Sequence, residues 1–458
     1  MSDQILKRDH FLSGNEALAR GAWEAGLHFA GAYPGTPSTE ILETLAQYDE
    51  IDAQWAVNEK TAYEVAYGAA IGGARALFAC KHVGLNVAMD PFMISAYTGI
   101  NGGLVAVVAD DPGMHSSQNE QDTRRLAPFA KVPLLEPASP AQCYAFMAEA
   151  FALSERFDTP VLLRTTTRIA HTKENIAVKA RIEAAKKPFA VNPRKYVMIP
   201  GHARPRHVEL EQRLLKLKAY ADNCMFNKVI DGDSRIGFIA DSVSAMYVRE
   251  MYPQASILAL GMPYPFPEHL VRSFAAKVKE LYVIEELEPF IEEQVRLLGI
   301  PVKAKRSSFI LGELRPEHIP QIVSGSDRSD VNRPARRPVL CPGCPHRATF
   351  TVLKKCKCTV AGDIGCYTLG ALDPLSALHT QTCMGASIPF MEGIRKSVDD
   401  NIVAVIGDST FMHTGVAGLI SAAYNKAKGV VVILDNATTA MTGTQPNPAT
   451  GVTLKGDM

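Results

Sequence analysis

One segment near the end of the chain constrains the fold more than any other, because it contains a complete strand–helix–strand pattern. The apolar run at residues 402–406 is too short for a helix and ends in the sequence GDS, as a buried parallel strand does. A helix of small residues should follow over about residues 415–427, Gly429 should end it, and a second apolar run, Val430–Leu434, leads into the sequence DN. The segment predicts a βαβ unit and therefore an α/β fold with parallel sheets.

Two side-chain oxygens follow the ends of these predicted strands. Asp408 comes after the first strand and Asn436 after the second, so both should lie at the carboxyl edge of one sheet, where open α/β folds bind ligands. Hard oxygen ligands on short side chains suit Mg²⁺, whose shell is usually completed by phosphates and water. The pair predicts a site for a magnesium-bound diphosphate. The alternative is that Asp408 caps a turn and Asn436 forms an Asx-turn.

The spacing of these residues is similar to the thiamine diphosphate motif, in which a GD pair precedes an asparagine after the next strand. Ser409 stands where that motif usually has a second glycine, and Asp435 replaces the first of two asparagines. The segment TTAMTG after Asn436 resembles the 2-oxoacid:ferredoxin oxidoreductases, most closely the large subunits of the indolepyruvate type. The resemblance implies that Asp408, Asn436 and the Thr438 carbonyl hold Mg²⁺.

Three further loops resemble segments that face the cofactor in this family. They contain the sequences CPGC, DIGCYTLG and TCMGAS, and the last two offer backbone amides to a diphosphate. Without the resemblance they would be simple glycine turns between strands. The residues that are expected to contact thiamine diphosphate are Glu59, His82, Cys344, Gly365, Cys366, Tyr367, Met384, Gly385, Gly407, Asp408, Ser409, Thr438 and Thr442.

Glu59 is expected in the first turn of a helix rich in alanine and glycine. A carboxylate in that place ordinarily complements the helix dipole. In the resembled family, the glutamate before such a helix bonds a ring nitrogen of the aminopyrimidine and so promotes loss of the proton from the thiazolium carbon. The resemblance therefore implies a catalytic role for Glu59, and the helix dipole remains the alternative.

The turn YPGTPS should join a strand to a helix that begins near Thr39, with Thr36 or Ser38 as its cap. In the family, a threonine at the position of Thr36 binds the carboxylate of the oxoacid, so the resemblance makes Thr36 a second catalytic candidate.

Loops at residues 81–86 and 110–127 also follow strands and should face the same crevice, although a histidine in such a loop is often only solvated. Their candidate substrate contacts are His115, Gln118 and Asn119, with His82 and Gln121 nearby.

The composition is that of a large globular protein without a strong electrostatic field. The chain has 458 residues, 47% of them hydrophobic, and its 48 Lys and Arg residues balance 48 Asp and Glu residues. This balance argues against binding to nucleic acid or to an anionic membrane. No apolar run reaches the roughly 20 residues that a membrane span needs, and the polar start MSDQILKRDH is unlike a signal peptide. A cytoplasmic location is expected.

Nine cysteines in a long chain without a secretion signal indicate free thiols. Cys341, Cys344, Cys356 and Cys358 include one CxxC pair, which is a metal signal, but the CKC pair is unfavourably tight and no ferredoxin-type cysteine run occurs. A zinc or iron–sulfur centre at these residues is the less favoured alternative. In the family, a CPGC-type segment opens the diphosphate domain without binding a cluster.

Composition shifts divide the chain into three expected α/β domains and two linkers. A pyrimidine-binding domain should occupy residues 1–170, a middle scaffold domain residues 207–315 and a diphosphate-binding domain residues 339–458, with polar linkers at residues 171–206 and 316–338. The expected architecture is two thiamine-diphosphate-binding parallel-sheet domains flanking a smaller α/β domain. Compared with the family, the last domain looks incomplete at its C-terminus.

Three local expectations concern elements away from the cofactor. A helix should cover about residues 12–25, and a strand at residues 160–164 should close the first parallel sheet. The run EELEPFIEEQVR in the middle domain should form an exposed helix, and that domain shows no catalytic constellation.

The resemblance implies an oxidative decarboxylation. An aryl 2-oxoacid of the indolepyruvate or phenylpyruvate type would lose CO₂, its electrons would pass to a ferredoxin-type acceptor, and coenzyme A would take the acyl group. A non-oxidative 2-oxoacid decarboxylase and a catalytically silent scaffold subunit remain open alternatives. Iron–sulfur clusters are expected on a missing segment or on a partner. The expected assembly is a hetero-oligomer with a small subunit and ferredoxin as partners.

Overall fold

The computed structural model describes residues 10–330, 338–398 and 401–457. The chain divides into two compact units, a first unit, Met1–Asp330, and a second unit, Val331–Met458. Most of the polar N-terminal start and part of the second expected linker, residues 331–337, lie outside the described residues. The division into three domains stays a prediction.

The first unit alternates strands and helices along most of its length. Its strands, among the described residues, are β1 (His10–Ser13), β2 (Phe29–Ala32), β3 (Asp52–Trp55), β4 (Ala76–Lys81), β5 (Leu104–Asp110), β6 (Leu134–Leu135), β7 (Val161–Thr166), β8 (Lys173–Ile176), β9 (Asn227–Ile230), β10 (Asp233–Asp241), β11 (Ala255–Leu260) and β12 (Glu280–Ile284). Its helices are α1 (Gly14–Glu24), α2 (Thr39–Leu45), α3 (Glu59–Ile71), α4 (His82–Val87), α5 (Met89–Thr98), α6 (Leu126–Ala130), α7 (Pro140–Phe157), α8 (Thr167–His171), α9 (Pro193–Tyr196), α10 (Pro200–Ala221), α11 (Ser242–Met251), α12 (Glu268–Ala275), α13 (Phe290–Leu297) and α14 (His318–Ser324).

The first sheet is parallel throughout, with the strand order β3-β2-β4-β5-β7-β6. All its carboxyl ends therefore share one edge. The expectation that the strand near residues 160–164 closes the sheet is wrong, because β6 pairs beyond it, Leu134 with Leu162. A strand of two residues carries no periodicity that a sequence could show. Helix α3 packs on the sheet through its buried alanines, Ala62 and Ala66 among them.

Helix α1 begins at Gly14, two residues later than expected. Ser13 forms a capping box with Glu16, because its hydroxyl accepts from the Glu16 N–H at 3.2 Å and the Glu16 carboxylate accepts from the Ser13 N–H at 2.7 Å. The residues before the cap form β1, which pairs with β8 in an antiparallel ribbon. Part of the expected linker at residues 171–206 is therefore ordered strand, and α10 also begins inside it.

The second sheet of the first unit has the order β12-β10-β11-β9. Strands β10, β11 and β12 are parallel, and β9 is an antiparallel edge strand. Apolar side chains fill both faces, with Phe238 and Ile284 on one face and Ile239 and Val283 on the other. The expected small α/β fold of this region is confirmed. Helix α14 lies within the expected linker at residues 316–338, so that segment is not all linker.

A buried charged junction joins the two sheets of the first unit. Its members, all under 9% exposed, are Asp110, Asp122, Arg124, Glu136, Arg164, Asp241, Glu285 and Glu286. Arg124 lies at its centre and donates to Asp241 at 2.8 Å and to Glu285 at 2.6 Å. The expectation that the run EELEPFIEEQVR is an exposed helix is wrong at its start. Glu285 is buried because it pairs with Arg124 and accepts from the first N–H groups of α13.

The second unit has the strands β13 (Thr359–Ala361), β14 (Ile402–Gly407) and β15 (Val430–Leu434) and the helices α15 (His346–Lys355), α16 (Ser387–Arg395), α17 (Asp408–Thr410) and α18 (Val416–Tyr424). The three strands are parallel in the order β13-β14-β15. The predicted βαβ unit is confirmed, since β14 is fully buried and α18 connects it to β15. A π-helical turn, Phe411–Gly415, precedes α18, which is shorter than expected. Gly429, at φ 155°, follows it in a backbone conformation that favours glycine.

Among the described residues, every helix is too short or too polar to cross a lipid bilayer.

Candidate active site

The carboxyl edge of the second unit's sheet carries a cluster of oxygen atoms. One arm of the Asn436 amide lies 2.9 Å from Asp408 Oδ1 and 3.0 Å from the Thr438 carbonyl oxygen. With its nitrogen in that position, the amide donates to both oxygens. With its oxygen there, three oxygens converge and a cation is needed between them. The structure therefore brings together the three residues that the sequence resemblance assigned to Mg²⁺, and we call them the oxygen cluster.

Asn447 is a fourth member of this edge that sequence analysis missed. Its Nδ2 donates to Asp408 Oδ2 at 3.0 Å, and both residues are buried. Asn447 therefore holds one oxygen of the Asp408 carboxylate, and the Asn436 side chain faces the other. The signal for Asn447 was weak, because it lies beyond the recognised segment and reaches Asp408 only through the fold of residues 438–447.

The loop after β13 approaches the same sheet edge. Tyr367 is buried, and a Cβ atom added at Gly365 or at Gly407 would lie 2.3 or 2.7 Å from its ring. Its hydroxyl donates to the Ile364 carbonyl at 2.9 Å. Tyr367 thus packs in the core and explains why both neighbours are glycine. Its expected contact with the cofactor stays a prediction, and the half-buried Cys366 lies beside it.

Asp363 ties this loop to the segment that contains Met384 and Gly385. Its carboxylate accepts from the N–H groups of Gly385 at 2.8 Å and of Ser387 at 2.9 Å. Burial raises the pKa of Asp363, while these hydrogen bonds lower it. Gly385 has a φ of 85°, and a Cβ there would lie 2.1 Å from Thr414 Oγ1, which donates to the Met384 carbonyl. Sequence analysis did not single out Asp363, because an acid before IGC reads as part of a turn.

The remaining candidates of the second unit are Ser409, Thr442 and Cys344. The Ser409 hydroxyl lies 2.8 Å from that of Thr439, and the Thr442 hydroxyl donates to Gln445 at 2.6 Å. Cys344 is half-buried two residues before His346. Burial lowers the pKa of His346, and the nearby Asp408 raises it.

Cysteines of the second unit form no evident metal centre in the part of the chain that the structure describes. Burial raises the pKa of Cys366, and the neighbouring thiols of Cys341 and Cys344 raise it further. No group of three or more His, Cys, Asp or Glu residues is arranged to hold a metal ion within residues 10–330, 338–398 and 401–457. This is consistent with an oxygen cluster that contains a single carboxylate.

The carboxyl edge of the first sheet holds Glu59 and His82. Glu59 is the first residue of α3, as expected, and is 5% exposed. Gly84 lies against it, since a Cβ added there would be 2.7 Å from Glu59 Oε1. His82 begins α4, so the expected loop at residues 81–86 is largely helical. Its Nε2 lies 3.2 Å from both the Asn119 carbonyl and the Asn119 Oδ1.

The turn after β2 brings Thr36 to the same edge. Thr36 is half-buried, and its side chain makes no hydrogen bond within the described residues. Helix α2 begins at Thr39 with Ser38 at its N-cap position, as expected, but the Ser38 side chain makes no capping hydrogen bond. The Ser38 hydroxyl instead donates to the Gly35 carbonyl at 2.8 Å, and the Thr39 hydroxyl accepts from the Gly35 N–H at 3.1 Å. The turn is thus bonded internally, and the hydroxyl of Thr36 remains available to a ligand.

The loop after β5 supplies some, though not all, of the candidate substrate contacts. Gln121 donates to Asn119 at 3.2 Å and accepts from Asn86 at 3.0 Å, so these amides form one group with His82. His115 and Gln118 are exposed, and within the described chain neither hydrogen-bonds to that group through its side chain. Their role as substrate contacts stays a prediction.

Models of known protein families match a segment of each unit. The family model for the thiamine diphosphate-binding domain of pyruvate flavodoxin/ferredoxin oxidoreductase matches residues 20–212. The model for the C-terminal thiamine pyrophosphate-binding domain of thiamine pyrophosphate enzymes matches residues 363–458. These matches place the chain in the class of thiamine-diphosphate-binding 2-oxoacid oxidoreductases.

Similarity to individual proteins shows which family within this class the chain belongs to. The indolepyruvate oxidoreductase subunit IorA of Archaeoglobus fulgidus is 40% identical over 479 residues, which cover 96% of this chain and 77% of the relative. The subunit IorA of Methanothermobacter thermautotrophicus is 41% identical over 482 residues, which cover 98% of this chain and 78% of the relative. The chain belongs to the family of the indolepyruvate oxidoreductase subunit IorA. The resemblance inferred from sequence is confirmed.

A solved structure shares the fold. A 2-oxoglutarate:ferredoxin oxidoreductase from Magnetococcus marinus, with 2-oxoglutarate, coenzyme A and succinyl-CoA bound, superposes with a TM-score of 0.58 at 17% identity. The superposition covers 70% of this chain and 65% of that chain. The expected α/β class with parallel sheets is thus confirmed.

Proposed function

We propose that this chain is the thiamine-diphosphate-binding subunit of an oxidoreductase that converts an aryl 2-oxoacid, of the indolepyruvate or phenylpyruvate type, to the aryl-acetyl-CoA. The name of the IorA relatives supports the aryl substrate. Coenzyme A, a small partner subunit and a ferredoxin-type acceptor are proposed from the family resemblance. Any iron–sulfur cluster would belong to a partner or to a further segment.

The observation that carries this proposal is the oxygen cluster at the end of β14 and β15. One carboxylate, one amide and one carbonyl are hard ligands, and Mg²⁺ usually takes only one or two carboxylates before phosphates and water complete its shell. Asp408, Asn436 and the Thr438 carbonyl would hold this ion, and the second amide on Asp408, from Asn447, would fix the carboxylate. The residues present therefore fit a magnesium-bound diphosphate.

When bound, thiamine diphosphate supplies a nucleophilic carbon and an electron sink for the loss of CO₂. Residues of the first unit would orient the reactants. The Glu59 carboxylate is buried at the start of α3 and would bond a ring nitrogen, where it can hold and move a proton. The unbonded hydroxyl of Thr36 would meet the carboxylate of the oxoacid. His82 has a buried Nδ1 without a partner among the described residues and would donate to, or accept from, a bound group.

Calorimetry of the Asp408→Ala variant tests the central assignment. Removing the carboxylate of the oxygen cluster should abolish Mg²⁺-dependent binding of thiamine diphosphate, because diphosphate charge is then uncompensated. Asp435→Ala is the matched control, since Asp435 is exposed directly after the neighbouring strand β15 and, within the described residues, accepts only from the nearby Ala437 N–H. Unchanged affinity and Mg²⁺ dependence in Asp408→Ala would show that the oxygen cluster is not the cofactor site.

A further inference from the structure

Lys81 occupies a central position at the carboxyl edge of the first sheet. It is the last residue of β4, a half-buried lysine directly before His82. Its aliphatic stem lies over Gly35, where an added Cβ would be 3.4 Å from both Cγ and Cδ of the lysine. The side chain therefore extends across the turn after β2, which contains Thr36, and its ammonium lies at the loop after β5.

The Lys81 ammonium lacks a counter-ion of its own. Its Nζ donates to the Ser116 carbonyl at 2.7 Å, and no carboxylate of the described residues forms an ion pair with it. Two of its three N–H donors are unused by side chains or carbonyls of the described chain. Burial lowers the pKa of Lys81, whereas the neighbouring carboxylates of Asp111 and Glu59 raise it.

The hydrogen bonds of Asp111, one of the two neighbouring acids, go to other groups. Asp111 accepts from the Ser116 N–H at 2.8 Å and from the hydroxyls of Ser117 and Thr167, both at 2.7 Å. Burial raises the pKa of Asp111, but these hydrogen bonds and Lys81 together bring it below its usual value. Asp111 thus makes its hydrogen bonds within the loop and acts on the ammonium only through its charge. A partly desolvated cation with unused donors is costly unless an anion is bound beside it.

We propose that Lys81 binds the carboxylate of the 2-oxoacid, opposite the hydroxyl of Thr36, and thereby selects carboxylate substrates over neutral carbonyl compounds. This inference rests on the proposed function of the chain. A single ammonium with one neighbouring hydroxyl suits a monoanion. The diphosphate has its own ligands in the oxygen cluster, so Lys81 is not needed there. Lys81 is a specificity-determining residue that sequence analysis did not single out, because a lysine at a strand end is usually solvated.

Binding of an unreactive probe tests this role. In the full complex with its partner subunit and cofactor, indole-3-lactate and its neutral amide are titrated against the unaltered protein and the variants Lys81→Met and Lys81→Arg. Loss of a charge-assisted hydrogen bond should weaken binding of the acid in Lys81→Met by about 10- to 100-fold. Binding of the amide should stay within about twofold, and Lys81→Arg should recover part of the affinity for the acid.

Two controls separate the possible outcomes. Lys303→Met removes an exposed lysine that pairs with Glu280 on the second sheet and should change neither affinity. If Lys81→Met lowered the affinity for the acid and for the amide equally, or changed neither affinity, Lys81 would not bind the carboxylate. Unchanged affinity for thiamine diphosphate in Lys81→Met shows that the cofactor site is intact. If the unaltered complex bound neither aryl compound, the proposed function itself would fail, and the role of Lys81 with it.

Discussion

Gly84 shows how single residues position the candidate active site. It faces the Glu59 carboxylate so closely that a Cβ atom would lie 2.7 Å from Oε1 and 2.9 Å from the Cβ of Cys80. Cys80 belongs to β4 and cannot move far, so the glutamate side chain has to give way. Gly385 plays the same part beside Thr414, because an added Cβ would lie 2.1 Å from Thr414 Oγ1. In both cases a glycine leaves the space that a polar side chain needs.

The variant Gly84→Ala should therefore bind thiamine diphosphate but activate it poorly. Displacement of Glu59 by about 1 Å should slow hydrogen–deuterium exchange at the thiazolium carbon by about tenfold to a hundredfold. Gly68→Ala is the control, because that position of α3 is open and the helix should gain about 0.5–1 kcal/mol from the substitution. Exchange at the unaltered rate in Gly84→Ala would mean that the position of Glu59 is not critical.

Site residues whose neighbours lie in the same βαβ unit were predictable from the sequence. Site residues whose contacts lie far away in the sequence were not. Asp408 and Asn436 follow two strands of one βαβ unit, so the topology alone places them together. Lys81 and Asn447 lacked such a signal, because their contacts with Gly35 and Asp408 depend on chain segments far away in sequence. Tyr367 was expected at the cofactor from its loop, yet its ring fills the core between two glycines.

At the scale of elements, the alternation of apolar strands and helices was largely predictable, because parallel strands buried on both faces are continuous apolar runs. The failures are elements without such a run. β6 has two residues, and β1 and β8 pair across more than a hundred residues. The Glu-rich segment after β12 looked exposed by composition, and the burial of Glu285 depends on Arg124 from another element as well as on the first N–H groups of α13.

The buried carboxyl group of Glu286, in the charged junction, should make the stability of the fold depend on pH. Burial raises its pKa from 4.5 to about 7, although the Leu314 N–H and Arg164 lower it; Glu313 and Asp241 raise it further. The folded protein thus keeps a proton that the unfolded chain releases. Stability should fall as the pH rises from about 4.5 to 7, by on the order of 3 kcal/mol, and stay low above that range.

Glu286→Gln should remove this part of the pH dependence, because the amide still accepts from the Leu314 N–H but cannot ionise. Thermal unfolding at pH 5 and pH 8 measures the effect. The variant should unfold at a higher temperature than the unaltered protein at pH 8, and the two should differ less at pH 5. Glu268→Gln, at an exposed pair with Lys218, should shift stability by less than about 0.5 kcal/mol at either pH. Parallel pH profiles for Glu286→Gln and the unaltered protein would exclude Glu286 as the source.

At the scale of the whole molecule, we expect that the isolated chain cannot complete oxidative turnover. Electrons from the substrate need a one-electron acceptor, which the proposed function assigns to a ferredoxin-type protein. With Mg²⁺, thiamine diphosphate, coenzyme A and an arylpyruvate under anaerobic conditions, aryl-acetyl-CoA should form only after a partner subunit and a ferredoxin-type protein are added.

Three other outcomes would contradict this expectation in different ways. Steady release of aryl-acetaldehyde without an acceptor would indicate a non-oxidative decarboxylase. Absence of decarboxylation in every mixture would indicate a silent scaffold. Stoichiometric iron and sulfide in the isolated chain, lost in Cys341→Ser and Cys344→Ser, would show that electron transfer begins within this subunit.

The charged junction also limits how this chain can be rearranged by recombination. Asp241 ends β10 and Glu285 directly follows β12, whereas Arg124 reaches them from the loop after β5. A chimera that took the second sheet from a relative without matching partners would leave Arg124 with Asp122 as its remaining carboxylate partner. The loss of the two hydrogen bonds to Asp241 and Glu285 should cost about 1.5–3 kcal/mol each. A recombinant of two related proteins with a crossover between the two sheets should therefore fold stably only where both parents have Arg124, Asp241 and Glu285.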